Sequence, residues 1–245
     1  AIGYASTIAQ AYSSRLLEDR LRTAPGTGGG LPGVSLQNRT WFNENLESKN
    51  YYIPGVIALM VTVTTLMLSA LSIVREKEIG TIEQLIVSPI RPHELIIGKL
   101  VPFGVLALIN MVIITLTAEF VFKVPFRGSI ALLSLATVVY LLTSLGVGLF
   151  ISTISATQQE AVMSTFLFFL PANLLSGFMF PLNNMPEIVQ YCTYLNPLRY
   201  YLTILRGIFL KGVGIEILWP EILILLIMGV AILAVSSLRF HKRLG

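Results

Sequence analysis

His93 and Glu94 are the first residues whose types suit chemistry. A His-Glu pair opening a helix begins the zinc-hydrolase pattern, in which a second His one turn later completes the metal site. Leu95, Ile96 and Ile97 follow instead, and the second ligand is missing. With 2 histidines in the chain and Asp19 as its one aspartate, a Ser-His-Asp relay is also implausible. No G-x-x-x-x-G-K-[ST] stretch is present, so this chain does not hold ATP through a P-loop. Glu119 lies at the end of an apolar run and reads either as an intramembrane functional carboxylate or as an interfacial partner of Lys123 at helical spacing. The densest charge is Arg75, Glu76, Lys77 and Glu78, set between two long apolar runs. Each such charge costs about 2.5–3.5 kcal/mol at the centre of a bilayer. The run therefore belongs at a membrane edge, where it reads as a docking surface or as a solvated, self-paired face.

Composition sets the frame for that run. The chain has 245 residues, 54% hydrophobic and 12% charged, and a mean hydropathy of +0.76. Soluble domains carry about 25% charged residues, so this is an integral membrane protein. Five runs are long enough to span a bilayer: about 53–74, 100–122, 129–151, 161–180 and 217–238. The net charge of +4 needs no nucleic acid, because membrane proteins gather Lys and Arg at their cytoplasmic edges. Cys192 is the single cysteine and forms no internal disulfide. No signal peptide follows Ala1, and the soluble-looking start without Met reads as that of a fragment.

In chain order, residues 1–52 read as part of an external, water-exposed α+β domain, with a helix over 2–22 and a short strand at Val34, Ser35 and Leu36. The first span follows Pro54-Gly55. Its Thr62, Thr64, Thr65 and Ser69 either line an interhelical face or bond back to their own backbone. The loop 75–99 comes next. Ile79, Ile82, Leu85 and Ile86 recur at helical spacing, and Thr81 with Gln84 forms a capping box after Gly80. This predicts a short amphipathic helix ended by Ser88-Pro89, with Pro92 in the first turn of the next helix. The stretch 153–160 reads as a polar loop, and the fourth span is kinked or broken by Pro171, Gly177 and Pro181. Over 186–212 the chain is apolar and aromatic yet carries Arg199, Arg206 and Lys211. Asn196-Pro197 splits it into two amphipathic helices, with Tyr191, Tyr194, Tyr200 and Tyr201 expected at headgroup level. If the loop 75–99 is cytoplasmic, Arg75, Lys77, Arg91, Lys99, Arg239, Lys242 and Arg243 face the cytoplasm. Lys123, Arg127, Arg199, Arg206 and Lys211 then lie outside, so the C-terminus is expected inside.

The motif IVREKEIGTIEQLIVSP at 73–89, HELIIGK at 93–99 and LNPLRYYLTILRGIFLKG at 195–212 together resemble the membrane subunit of ABC-2 type exporters, of the multidrug type. The resemblance covers nearly the whole chain from Asn38 onward. It implies an all-α polytopic fold of which this chain holds five of six transmembrane helices, the first helix and the start of the external domain lying upstream. It implies a cytoplasmic coupling helix that docks on a separate ATP-binding cassette subunit. The matching positions are Arg75, Glu76, Lys77, Glu78, Gly80, Thr81, Glu83 and Gln84. It implies paired external half-helices over 186–212, with Asn196, Pro197, Arg199 and Arg206 as their marked residues. The expected partners are that ATPase, a second permease copy and membrane lipid, with no nucleic acid. No cofactor is expected on this chain, ATP being bound by the partner. The expected setting is the bacterial inner membrane, and the expected activity is export of a hydrophobic or amphipathic substrate. A non-transporting membrane scaffold is the alternative, although a scaffold needs neither the kinked fourth helix nor the split segment after it.

Overall fold

The computed structural model describes Tyr12 and residues 48–81 and 92–244. The expected external domain therefore lies almost wholly outside the described residues, as do Glu83 and Gln84. The chain divides into two units, Ala1–Leu46 and Glu47–Gly245. The described elements of the second unit are all helices: α1 (Ser48–Ile79), α2 (Pro92–Phe120), α3 (Ile130–Ile154), α4 (Gln158–Leu174), α5 (Glu187–Thr193), α6 (Pro197–Arg206) and α7 (Ile215–Leu244). A 3-10 turn at Leu182–Asn184 precedes α5, and a π turn at Gly207–Lys211 follows α6.

Helix α1 runs past the expected boundary at 74, because Arg, Glu and Lys are good helix formers once the chain has left the apolar layer. It stops where Gly80 takes φ +83°. There the Thr81 amide donates to the Glu76 carbonyl at 3.1 Å and the Gly80 amide to the Lys77 carbonyl at 3.3 Å, the paired bonds of a Schellman cap. Helix α2 starts at Pro92, earlier than the expected 100, with Pro at its first position and Glu94 in its first turn. The segment between α1 and α2 is thus 80–91 rather than 75–99, and Arg75, Glu76, Lys77 and Glu78 are helical; the expected amphipathic helix with Ile82, Leu85 and Ile86 lies outside the described residues. Lys123 lies beyond the end of α2 with φ 53°, so the helical spacing that would pair it with Glu119 is lost.

Among the described residues, four helices are long and apolar enough to cross a membrane: α1, α2, α3 and α7. The fourth expected span is the 17-residue helix α4, about 25 Å long at 1.5 Å per residue, which falls short of a hydrocarbon layer of about 30 Å. At one end the Gln158 amide donates to the Glu78 carboxylate of α1 at 2.8 Å. At the other, the Tyr51 hydroxyl of α1 reaches the Gly177 carbonyl at 3.5 Å. The chain from 158 to 177 thus runs antiparallel to α1 over nearly its full length.

Helix α3 is the centre of the bundle. Its apolar stretch is 61% buried, against 22% for α2 and 17% for α7. Lipid is as apolar as leucine, so helices in a bilayer associate through close packing and hydrogen bonds rather than through apolar transfer. Both occur at the α1–α3 seam. A Cβ at Gly148 would stand 2.6 Å from Ser69 Cβ and 3.0 Å from the Leu66 carbonyl oxygen. Gly148→Val is therefore expected to lower stability by about 2–3 kcal/mol through overpacking, read as a lower thermal midpoint in mild detergent. Gly104→Ala, whose new methyl would meet only Leu145 at 3.8 Å, serves as the control that stays neutral or gains up to about 1 kcal/mol from helix propensity.

The same seam carries a ladder of hydroxyls. Thr62 and Thr65 donate back to the carbonyls of Ala58 and Val61, each at 2.6 Å. Their oxygens are then left to accept from the Tyr140 hydroxyl at 2.6 Å and from Ser144 at 2.7 Å. Both readings of these threonines therefore hold together. Further along, Ser69 donates to the Leu145 carbonyl at 2.8 Å, and Ser152 Oγ accepts from the amides of Ile73 and Val74, each at 3.2 Å.

Candidate functional site

The charged run sits at the end of that ladder, and most of it faces other helices. Lys77 Nζ donates to the carbonyls of Ser152 and Thr153, both at 3.2 Å, and of Ser155 at 3.3 Å. Those carbonyls belong to the last turn of α3 and its cap, the end that lacks intrahelical donors and carries the negative pole of the helix dipole. Glu76 forms an ion pair with Lys99 of α2, and Lys99 Nζ also lies 3.4 Å from the Ser72 carbonyl. Glu78 takes both the backbone and the side-chain amide of Gln158 at the start of α4. Arg75 is exposed and has no partner among the described residues. Ile79 is 64% exposed. Three of the four charges thus tie the ends of α2, α3 and α4 to α1, and Arg75 and Ile79 remain exposed at the end of α1.

The start of α4 adds a second capping device. Thr157 Oγ1 accepts from the Glu160 amide at 3.2 Å, and Glu160 returns to the Ala156 amide at 2.7 Å. This is close to a capping box, except that the Glu160 carboxylate accepts from the Ala156 amide rather than from that of the cap residue Thr157. Thr157 and Glu160 at that spacing are a readable signal within 153–160, where only a polar loop is expected from the sequence. Of the expected coupling positions, Gly80 and Thr81 form the cap of α1, and Thr81 Oγ1 lies 3.4 Å from the Glu76 carbonyl. Gln84, the other half of the expected Thr81 box, is outside the described residues.

At the opposite end of the bundle, Asn196 sits between α5 and α6. Its Oδ1 accepts from the Leu198 amide at 3.1 Å, capping α6, while its Nδ2 donates at 2.6 Å to the Ala172 carbonyl in the last turn of α4. Pro197 occupies the first helical position, where its missing N–H costs nothing. The Arg199 guanidinium lies 4.0 Å above the Tyr194 ring and bonds to Thr193 Oγ1. Arg206 Nη1 donates to the Gly177 carbonyl at 3.2 Å, and its guanidinium lies 3.9 Å above the Tyr51 ring. The Tyr51 end of α1, the turn after α4 and the end of α6 meet there.

The tyrosines divide. Tyr191 and Tyr194 are exposed, but Tyr200 and Tyr201, expected at headgroup level, are 9% and 0% exposed. They lie on the face of α6 that packs into the bundle, where each hydroxyl finds a partner. Tyr200 donates to the Tyr194 carbonyl at 2.9 Å. Thr137 Oγ1 donates to the Leu133 carbonyl at 2.8 Å, so the Tyr201 hydroxyl is the donor in its 3.0 Å contact with Thr137. The Tyr201 ring stacks on Tyr140 at 4.2 Å, with 3° between the planes. Tyr140 therefore joins α6 to α3 through its ring and α3 to α1 through its hydroxyl.

Known proteins are similar to this chain along most of its length. Residues 4–238 match the family described as ABC-2 family transporter protein. The chain is 34% identical over 244 residues, 99% of its length, to "Probable multidrug ABC transporter permease YbhR" of Escherichia coli (strain K12), covering 64% of that relative. It is 34% identical over 243 residues to "Probable multidrug ABC transporter permease YbhS" of the same strain, with 99% and 63% covered. Against "Inner membrane transport permease YhhJ" of that strain the figures are 33% over 217 residues, with 87% and 58% covered. The chain thus spans somewhat less than two thirds of the length of these relatives.

Proposed function

This chain belongs to the ABC-2 family of transporter proteins, and from that premise we propose that it is the permease part of an ATP-binding-cassette exporter. ATP is hydrolysed on a separate partner subunit, and a second permease copy completes the transporter in a bacterial inner membrane. The Lys77 end of the bundle is cytoplasmic, and the Asn196 end is external. The observation that carries the reading is the clamp made by Glu76, Lys77 and Glu78, which ties α2, α3 and α4 to α1. Helices joined in this way beside the segment that links α1 to α2 move as one body when a partner presses on that segment. A displacement there reaches α6 through the Thr62–Tyr140–Tyr201 contacts. Such transmission is a rigid-body shift rather than a local rearrangement.

Arg75 and Glu83 supply the surface that the ATPase meets. Arg75→Glu and Glu83→Arg are each expected to leave the folded permease intact while cutting substrate-stimulated ATP hydrolysis of the copurified complex by about tenfold, the loss expected for roughly 1.4 kcal/mol at an interface. Affinity purification of the full-length protein in mild detergent, followed by an ATPase assay, is the check. Full stimulated activity in both variants refutes the coupling assignment. The absence of any P-loop ATPase from gentle purifications refutes the permease reading itself and leaves the membrane scaffold.

A further inference from the structure

Arg206 is a half-buried cation whose surroundings the bundle does not explain. It is the last residue of α6, immediately before the π turn Gly207–Lys211, and π turns are rare and concentrate at functional sites. Its Nη1 is committed to the Gly177 carbonyl and its face to the Tyr51 ring. Its Nε and Nη2 are buried and have no acceptor, and no carboxylate forms an ion pair with it among the described residues. Two buried guanidinium nitrogens without an acceptor are costly, and a fold that needed only a ring-stacking or space-filling residue has apolar choices.

The two idle donors are a specific pair. Nε and Nη2 share one edge of the guanidinium plane, and that edge makes two parallel bonds to a carboxylate or phosphate. The remaining nitrogen, Nη1, is the one that holds the turn after α4. We propose that Arg206 is the recognition point for an anionic headgroup, a carboxylate or a phosphate, on the amphiphile that this transporter moves. This rests on the exporter reading above. In the present state the edge is covered. It becomes available when the Gly177 turn parts from α6, which breaks the hydrogen bond from Arg206 to the Gly177 carbonyl, and the two bonds to the anion offset that loss.

The test uses the full-length permease with its copurified ATPase in phosphatidylcholine vesicles. Dodecanoate, dodecyl phosphate, dodecyltrimethylammonium and dodecyl maltoside share a chain and differ in headgroup. The two anions are expected to stimulate ATP hydrolysis at concentrations about tenfold lower than the cationic or neutral compound, a factor in keeping with a charge-assisted fork. Arg206→Gln is expected to abolish that preference. Arg206→Lys keeps the charge but not the fork, so the anions are expected to need several-fold more for half-maximal stimulation. Should the glutamine variant fail to fold, the lysine variant decides. Stimulation by phosphatidylglycerol in the vesicles, without added amphiphile, would assign the phosphate to lipid rather than to a free substrate.

Equal response to all four headgroups, no response to any, or an unchanged anion preference in Arg206→Lys overturns the proposal while leaving a hydrolysing permease complex. A preparation without ATP hydrolysis is recognised before any amphiphile is added, and it removes the exporter reading and this proposal together.

Discussion

Lys77→Met is expected to destabilise the bundle by about 3 kcal/mol and to uncouple it. The ammonium group serves three carbonyls, and the residues bearing them, Ser152, Thr153 and Ser155, are 0–2% exposed. Each buried acceptor left without a donor costs about 1–3 kcal/mol, and bonds to a charged group are the stronger ones. Water at the membrane edge recovers part of this, which places the sum near the cost of one and a half such groups. Methionine retains the aliphatic stem and the helix propensity, so the loss reports the ammonium alone. The thermal midpoint in mild detergent measures it, and Lys77→Arg should recover most of the loss. Glu78 is exposed and its carboxylate can turn to water, so Glu78→Gln is expected to shift the midpoint far less. A Lys77→Met protein as stable as the parent would show that the last turn of α3 is satisfied without the clamp.

Tyr201→Ala is the second large effect, at about 3–4 kcal/mol. The side chain is fully buried, stacks on Tyr140 and donates to Thr137. Large-to-small changes at aromatic core positions cost about 3–5 kcal/mol through lost packing and the cavity that remains. The apolar transfer part is smaller here, because the opened chain still meets lipid. Tyr201→Phe keeps the stack and leaves Thr137 donating to Leu133, so it should cost about 1 kcal/mol, the usual net worth of one hydrogen bond. If the aromatic contact also carries motion from α3 to α6, the alanine variant will hydrolyse ATP in the complex but lose its response to substrate. The phenylalanine variant will keep it. Equal thermal midpoints for the two variants would place the whole contribution of Tyr201 in its hydroxyl.

Local physics makes several features readable from residues alone. Apolar run length identifies α1, α2, α3 and α7, because a bilayer sets a length that the chain must satisfy. Pro92, Gly80 and Asn196-Pro197 act through φ and missing or capping donors within a few residues, so they mark helix ends without reference to the rest of the fold. The cap at Thr157 and Glu160 is equally local. Boundaries drift where hydropathy stops being informative. Arg75, Glu76, Lys77 and Glu78 leave the apolar layer without leaving the helix, and the 17-residue α4 is shorter than the span expected at 161–180.

Partner choice is not readable in this way. Whether Lys77 faces solvent or three carbonyls depends on α3 ending beside it, 75 residues later in the chain for Ser152. Glu76 finds Lys99 only because α2 returns against α1. Tyr200 and Tyr201 have the amphipathic character of headgroup tyrosines, and only the docking of α6 against α3 turns their rings inward. Arg206 resembles any interfacial cation until the Gly177 turn and Tyr51 close around it. Sequence by itself determined class, helix content and the local ends of helices, since length, propensity and capping act over a few residues. The tertiary structure decided which charges are shared between helices and which polar edge is left without a partner, because those depend on groups brought together from opposite ends of the chain.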